Sequence, residues 1–196
     1  NTGAAVDGDL TYDGVSNPTD ASGSVTLTQN AFSSYEAVFS AVGYPDYHLF
    51  GINDGDSGYI NGWAVADSAT VGFLTTALGI PQDPTKGIVF VSVIETDASG
   101  TGIGGLAGAT VTLDAAFDVA LSRDTASPLG FSAGNITLPG SQSSIYFINT
   151  TAGAATPTVT PPAGYSCTVF PGDATDITMT AYGDALSAVI YTCTAN

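Results

Sequence analysis

Apolar and polar side chains alternate along the first stretch of the chain. Val6, Gly8, Leu10 and Tyr12 interleave with Asp7, Asp9, Thr11 and Asp13, the period-two pattern of a half-buried strand. Gly14–Gly23 is turn-rich, and Ser24–Gln29 (SVTLTQ) alternates again. Tyr35, Ala37, Phe39 and Ala41 then give a strand face opposite Glu36, Val38 and Ser40. The segment His48–Gly62 reads as a loop.

The period then changes. Asp67 or Ser68 can cap a helix that runs to Leu78, with Gly79 as terminator and Pro81 beyond. Val71, Leu74 and Leu78 fall at helical spacing and form its apolar stripe. From Gly87 the chain returns to strands. Ile88–Ile94 (IVFVSVI) is a nearly continuous apolar run, which predicts a central strand covered on both faces. Ala107–Leu113, Ile145–Ile148, Thr156–Thr160, Tyr165–Phe170, Asp176–Ala181 and Leu186–Thr194 follow, separated by Gly, Pro, Ser and Asp clusters. That spacing predicts an all-β, Greek-key-type β-sandwich with one short helix near residues 68–78. The segment Pro81–Lys86 (PQDPTK) divides an N-terminal β unit with its helix (1–80) from a C-terminal sandwich (87–196), two units that can pack as one body.

Composition sharpens the picture. Of 196 residues 44% are apolar, enough for a core, but only 10% are charged, far below the usual ~25%. Gly, Ser, Thr, Ala and Asn fill the gap, as expected of short strands joined by many turns. Lys86 and Arg123 face eighteen acids, a net charge of −16. Such a surface repels phosphate, so nucleic acid is not an expected partner. No apolar run is long enough to span a membrane as a helix. Two basic residues also leave trypsin-like proteases almost nothing to cut.

Cys167 and Cys193 lie in strand-like surroundings and belong to no C-x-x-C motif, so zinc and thiol redox chemistry lack their spacing. A disulfide between them fits an oxidising compartment, and the expected location is secreted or at the cell surface. The chain opens at Asn1 with no basic or apolar leader, which reads as a mature product after signal removal.

The segment Gly87–Cys193 resembles a carboxypeptidase-regulatory-like, or transthyretin-like, β-sandwich domain. The residues carrying this are GIVFVSV (87–93), LAGATVTL (106–113) and TPTVTPPAGYSC (156–167). Thr19–Tyr44 resembles the second half of the same unit, a T-D-x-x-G turn followed by a strand ending in Gly-Tyr. The resemblance implies a non-catalytic module appended to secreted enzymes, transporters or adhesive surface proteins, and no catalytic residues are carried over.

Candidate chemistry is sparse. His48 is the only histidine and no G-x-S-x-G elbow accompanies it, so a loop or strand-edge role is the plainer reading. Asn53, Asp54 and Asp56 place oxygen ligands in a glycine-containing loop that a calcium ion would accept, although the EF-hand pattern is missing and an ordinary acidic turn also explains it. Asp7, Asp9 and Asp13 form a poorer set. Tyr47, Tyr59 and Trp63 can offer a flat aromatic face to a glycan or pack as core. Asn135 and Asn149 open N-x-T glycosylation triplets.

The expected function is non-enzymatic: a structural subunit of a cell-surface fibre, pilus or adhesive layer, with copies of itself or other surface proteins as partners. Val6, Leu10 and Tyr12 near one terminus, and Leu186, Ala188 and Ile190 near the other, are the expected assembly edges, open to strand addition. The alternative is a secreted calcium- or glycan-binding module using the His48–Trp63 region.

Overall fold

A computed structural model describes residues 5–26, 28, 33–53, 55 and 68–196, with backbone alone at 69, 70, 73 and 74. The elements in chain order begin with β1 (Asp9–Tyr12), β2 (Val15–Pro18), β3 (Ser33–Ser40), β4 (Asp46–Asn53) and α1 (Ser68–Ala77). Then come β5 (Lys86–Thr96), β6 (Gly102–Gly105), β7 (Thr110–Leu113), β8 (Val119–Arg123), β9 (Phe131–Ala133) and β10 (Ser143–Thr151). The chain ends with β11 (Gly153–Ala155), β12 (Pro157–Thr160), β13 (Tyr165–Val169), β14 (Met179–Ala181) and β15 (Ala185–Ala195).

Two long strands organise this nearly all-β, sandwich-like fold. β5 and β15 run parallel from Leu186 opposite Ile88 to Thr194 opposite Thr96. The large sheet has the order β2-β1-β3-β4-β15-β5-β10-β8-β9, with β6 added to β5 and β13 added to β15. β4 also runs parallel to β15, so three parallel strands lie inside an otherwise antiparallel sheet. The hydrogen bonding crosses the Pro81–Lys86 boundary through the β4–β15 pair, making both segments one continuous sheet.

Period-two alternation assigns the faces. Val89, Val91 and Val93 of β5 join Ile145, Phe147, Val189 and Tyr191 on one face, each with no measurable exposure. The β7–β12 and β11–β14 ribbons cover that face, contributing Val111, Ala155 and Met179. Burying a Val or Leu side chain contributes about 1.5–3 kcal/mol, so this layer supplies most of the driving force. On the opposite face, Ile88, Leu186, Ala188, Tyr47 and Leu121 pack with Val71 and Leu78 of the helical segment. The run IVFVSVI is apolar at both parities because both faces are covered.

The turn chemistry matches the sequence. Asp13 and Gly14, at φ of 49° and 74°, form the two-residue connection between β1 and β2, where Asp-Gly suits two left-handed residues. Gly79 (φ 73°) ends the helix: Ile80 donates its amide to Thr75 O and Gly79 to Thr76 O, the paired bonds of a Schellman cap.

Several expectations are corrected. His48–Asn53 lies in β4 and not in a loop, because it pairs with β3 and, for its first part, β15. The described members of 24–29 form no strand: the Asp20 carboxylate accepts the Ser22 and Ser24 amides and folds the chain into a turn. The proposed edges are internal. Leu10 and Tyr12 lie in β1 between β2 and β3; Leu186 and Ala188 lie in β15 between β4 and β5, and Ile190 lies between β5 and Phe170, whose amide it accepts. Val6 is outside any strand. No helix among the described residues is long and apolar enough to cross a membrane.

Candidate functional site

The alternation of antiparallel hydrogen bonds identifies which backbone groups face outward. In the β1–β2 ribbon, the Thr19 amide donates to Gly8 O, which marks pair 8/19 as hydrogen-bonded. Pairs 10/17 and 12/15 then bond inward, and Ser16 and Pro18 face out. Pro18 has no N–H, so this outer edge presents one donor, that of Ser16. Proline at such a position guards an edge.

β13 differs. The Asn196 amide donates to Gly164 O and the Phe170 amide to Ile190 O, so Ser166 and Thr168 bond inward to β15. Tyr165, Cys167 and Val169 therefore face out. The Tyr165 amide is given to Pro162 O and the Val169 amide to Ala174 O. Among the described residues, no strand pairs with the outer side of β13. Cys167 presents both its N–H and C=O there.

Cys167 stands directly opposite Cys193 and is joined to it, with Cα atoms 4.1 Å apart. That spacing fits a non-hydrogen-bonded pair, the same parity derived from the backbone bonds. The Tyr165 hydroxyl donates to Glu95 Oε1 at 2.8 Å. That hydrogen bond first, then burial and the Glu95 charge, hold the Tyr165 phenol above its ordinary range. The bridge and this bond fix β13 to β15 and β5.

A second cluster gathers around His48. Its Nδ1 lies 2.6 Å from Glu36 Oε1 of the neighbouring β3, and its ring stacks on Tyr182 from the β14–β15 connection. The Tyr182 hydroxyl donates to Glu36 Oε2 at 3.2 Å. Burial first, then the Glu36 hydrogen bond and charge, raise the Tyr182 phenol. These groups join the N-terminal strands to the β14–β15 connection, and every partner apart from His48 itself escaped the sequence reading.

A third cluster surrounds Asn149. Its Oδ1 accepts the Asp83 amide at 2.9 Å, and its Nδ2 donates to Pro81 O and Asp118 Oδ2. Lys86 Nζ lies 3.0 Å from Asp118 Oδ1. Asn149 is only 2% exposed with its amide fully engaged, so the folded chain has no room for a glycan on it, which corrects that expectation. Asn135 is half-buried and donates to Val111 O.

The remaining candidates divide between buried and undescribed positions. Tyr47 is 4% exposed and packs in the core below the helix, which removes it from any open aromatic platform. Tyr59 and Trp63 lie outside the described residues, as do Asp54 and Asp56. Asn53 uses its side-chain oxygen to accept the Gly55 amide. Among the described residues, no three His, Cys, Asp or Glu side chains come together as a metal site.

No protein-family model and no curated protein matches the chain. It is similar in structure to the minor pilin GBS52 of Streptococcus agalactiae, at 11% identity and a TM-score of 0.39, covering 98% of this chain and 85% of that one. It is also similar to the pilus-presented adhesin Spy0125 (Cpa), at 11% identity and a TM-score of 0.36, over 57% of this chain and 27% of that one. A cysteine variant of the same adhesin gives 9% identity and a TM-score of 0.35, over 58% of this chain and 28% of that one. The chain thus spans little more than a quarter of the adhesin's length, and at these TM-scores the likeness carries no functional assignment.

Proposed function

We propose that this chain is a non-enzymatic structural module of an extracellular or cell-surface assembly, joined to its neighbours through sheet edges. The observation that carries the reading is the Cys167–Cys193 bridge between β13 and β15. Disulfides persist in oxidising compartments, and this one fastens a strand whose outer side pairs with no strand among the described residues. The rest of the chain suits the same setting. Asp20 and Asp97 each fold a tight turn by accepting amides two and four residues ahead, so part of the acidity is built into the turns. Two basic residues in 196 give trypsin-like proteases few targets.

Immunogold labelling of the source cells, with antibody to the folded chain, tests this reading. Label on surface fibres or an adhesive layer is expected. Label confined to the cell interior, or free thiols in native material by non-reducing mass analysis, would overturn it.

A further inference from the structure

We infer that β13 is the assembly edge and that it takes β13 of a second copy, antiparallel and centred on Cys167. The inference rests on the reading of the chain as an assembly module and names the surface it uses.

Three observations favour this edge. First, it is unguarded: Tyr165-Ser166-Cys167-Thr168-Val169 contains no Pro and no charge, whereas the β2 edge carries Pro18 at an outward position. Proteins that do not use an edge usually protect it with Lys, Pro or a bulge. Second, the strand is held rigid by the Cys167–Cys193 bridge and the Tyr165–Glu95 bond, so little ordering remains to oppose pairing.

Third, the segment is complementary to itself. A twofold axis at Cys167 makes the two Cys167 residues exchange N–H and C=O, the outward groups to which no strand pairs among the described residues. It sets Ser166 opposite Thr168 of the second copy, while Val169, fully buried in its own core, offers no side-chain surface to the facing Tyr165. Hydroxyl–hydroxyl pairs are favourable cross-strand combinations. The same axis makes the contact isologous and closed. No ionised side chain meets another across the paired strands, which matters for copies that each carry −16. The remaining repulsion acts at longer range, so salt should strengthen the contact. The Tyr165 and Val169 amides are already given to Pro162 O and Ala174 O, so the ladder is confined to the Cys167 pair and the association is weak.

The test is sedimentation-equilibrium analysis of the full oxidised chain at low and high salt, with hydrogen exchange at the Cys167 amide. Wild type should form a salt-strengthened dimer in which that amide is protected. The double variant Ser166→Lys with Thr168→Lys sets like charges directly opposite each other and should weaken association at least tenfold; Ser16→Lys on the β2 edge should leave it unchanged. Circular dichroism and thiol analysis confirm that each variant is folded and bridged. Association of the double variant at wild-type strength would place the contact elsewhere and leave the surface-assembly reading standing. A wild-type chain monomeric in every condition would overturn self-pairing, and immunogold location judges the broader reading separately. Protection of the Cys167 amide in native material but not in the purified chain would assign the edge to a different partner's strand.

Discussion

The imidazole of His48 lies stacked on the phenol ring of Tyr182, with centroids 4.0 Å apart and planes 23° from parallel. His48 comes from β4 and Tyr182 from the connection into β15, so the stack joins the first strands of the chain to the last. Glu36 links the two by bonding to both. Tyr182→Phe keeps the ring and removes one hydrogen bond, and should cost about 0.5–1.5 kcal/mol. His48→Ala removes the stack and the Glu36 partner together and should cost more, about 1–3 kcal/mol. Denaturant midpoints measure both. Equal effects would show that the ring contact contributes nothing beyond the hydroxyl.

The disulfide closes a loop between residues 26 apart in sequence. Loop-closure entropy puts its contribution at about 3.5 kcal/mol. Replacing Cys167 and Cys193 together by Ala should lower the urea midpoint accordingly, with faster amide exchange concentrated in β13. An unchanged midpoint would mean that β13 is held by its β15 ladder alone.

Much of the fold was legible in local pattern. Ile88–Ile94 announced a doubly covered strand, and the helix was bracketed by Ser68 and Gly79. β4 was missed because His48, Gly51 and Asn53 interrupt its apolar pattern, while its stability comes from pairing with Ala185–Val189, far along the chain. The edge assignments failed for a related reason. Alternation at Leu10 or Leu186 shows that one face is buried, but whether a neighbour lies on either side depends on topology. Tyr182 and Glu36 meet across 146 residues, and no local signal marks such a pair. The cysteines were legible because their chemistry restricts them to few roles.

Asn149 adopts a left-handed backbone (φ 54°) while its side chain ties the 81–83 segment to Asp118. Asn149→Ala leaves the Asp83 amide without its partner and puts a Cβ-bearing residue with no compensating side chain at positive φ. The expected loss is about 2–4 kcal/mol. Asn149→Gly relieves the backbone and should recover about 1 kcal/mol of it. If Gly proves no better than Ala, the left-handed backbone is not part of the cost and the hydrogen bonds account for the loss.

Acid should destabilise the protein through its turns. Hydrogen bonds from Ser22, Thr85 and Ser99 hold Asp20, Asp83 and Asp97 below the ordinary carboxylate value of 3.8, and Asn149 and then Lys86 do the same for Asp118. A carboxyl depressed in the folded state contributes stability that is complete above its unfolded pKa and is lost as pH falls through the folded one. Unfolding free energy should therefore hold down to about pH 4 and fall below it. Asp97→Asn, which can still accept the turn amides, should flatten that fall; an identical acid limb would exclude this turn as a contributor.

At the alkaline end the tyrosines held above their ordinary range set the limit, Tyr35 and Tyr191 foremost. Burial pushes Tyr35 up to about 12, with the neighbouring Tyr12 adding to the effect, and burial pushes Tyr191 up to about 12, assisted by Asp176. In the unfolded chain both ionise near 10. The folded state therefore favours the neutral phenols, and its stability is complete below about pH 10 and declines as pH rises towards 12. Tyr191→Phe separates two contributions. The Tyr191 hydroxyl donates to Pro157 O at 3.1 Å inside the core, so at neutral pH the variant should be less stable by about 1 kcal/mol. It has no phenol to ionise, so its alkaline decline should be shallower and the two stability curves should converge above pH 10. Urea midpoints across that range, read beside tyrosinate absorbance, measure the convergence. Parallel curves would mean that Tyr191 ionises equally readily folded and unfolded, and that the alkaline limit belongs to the other raised tyrosines, Tyr35, Tyr146, Tyr165 and Tyr182.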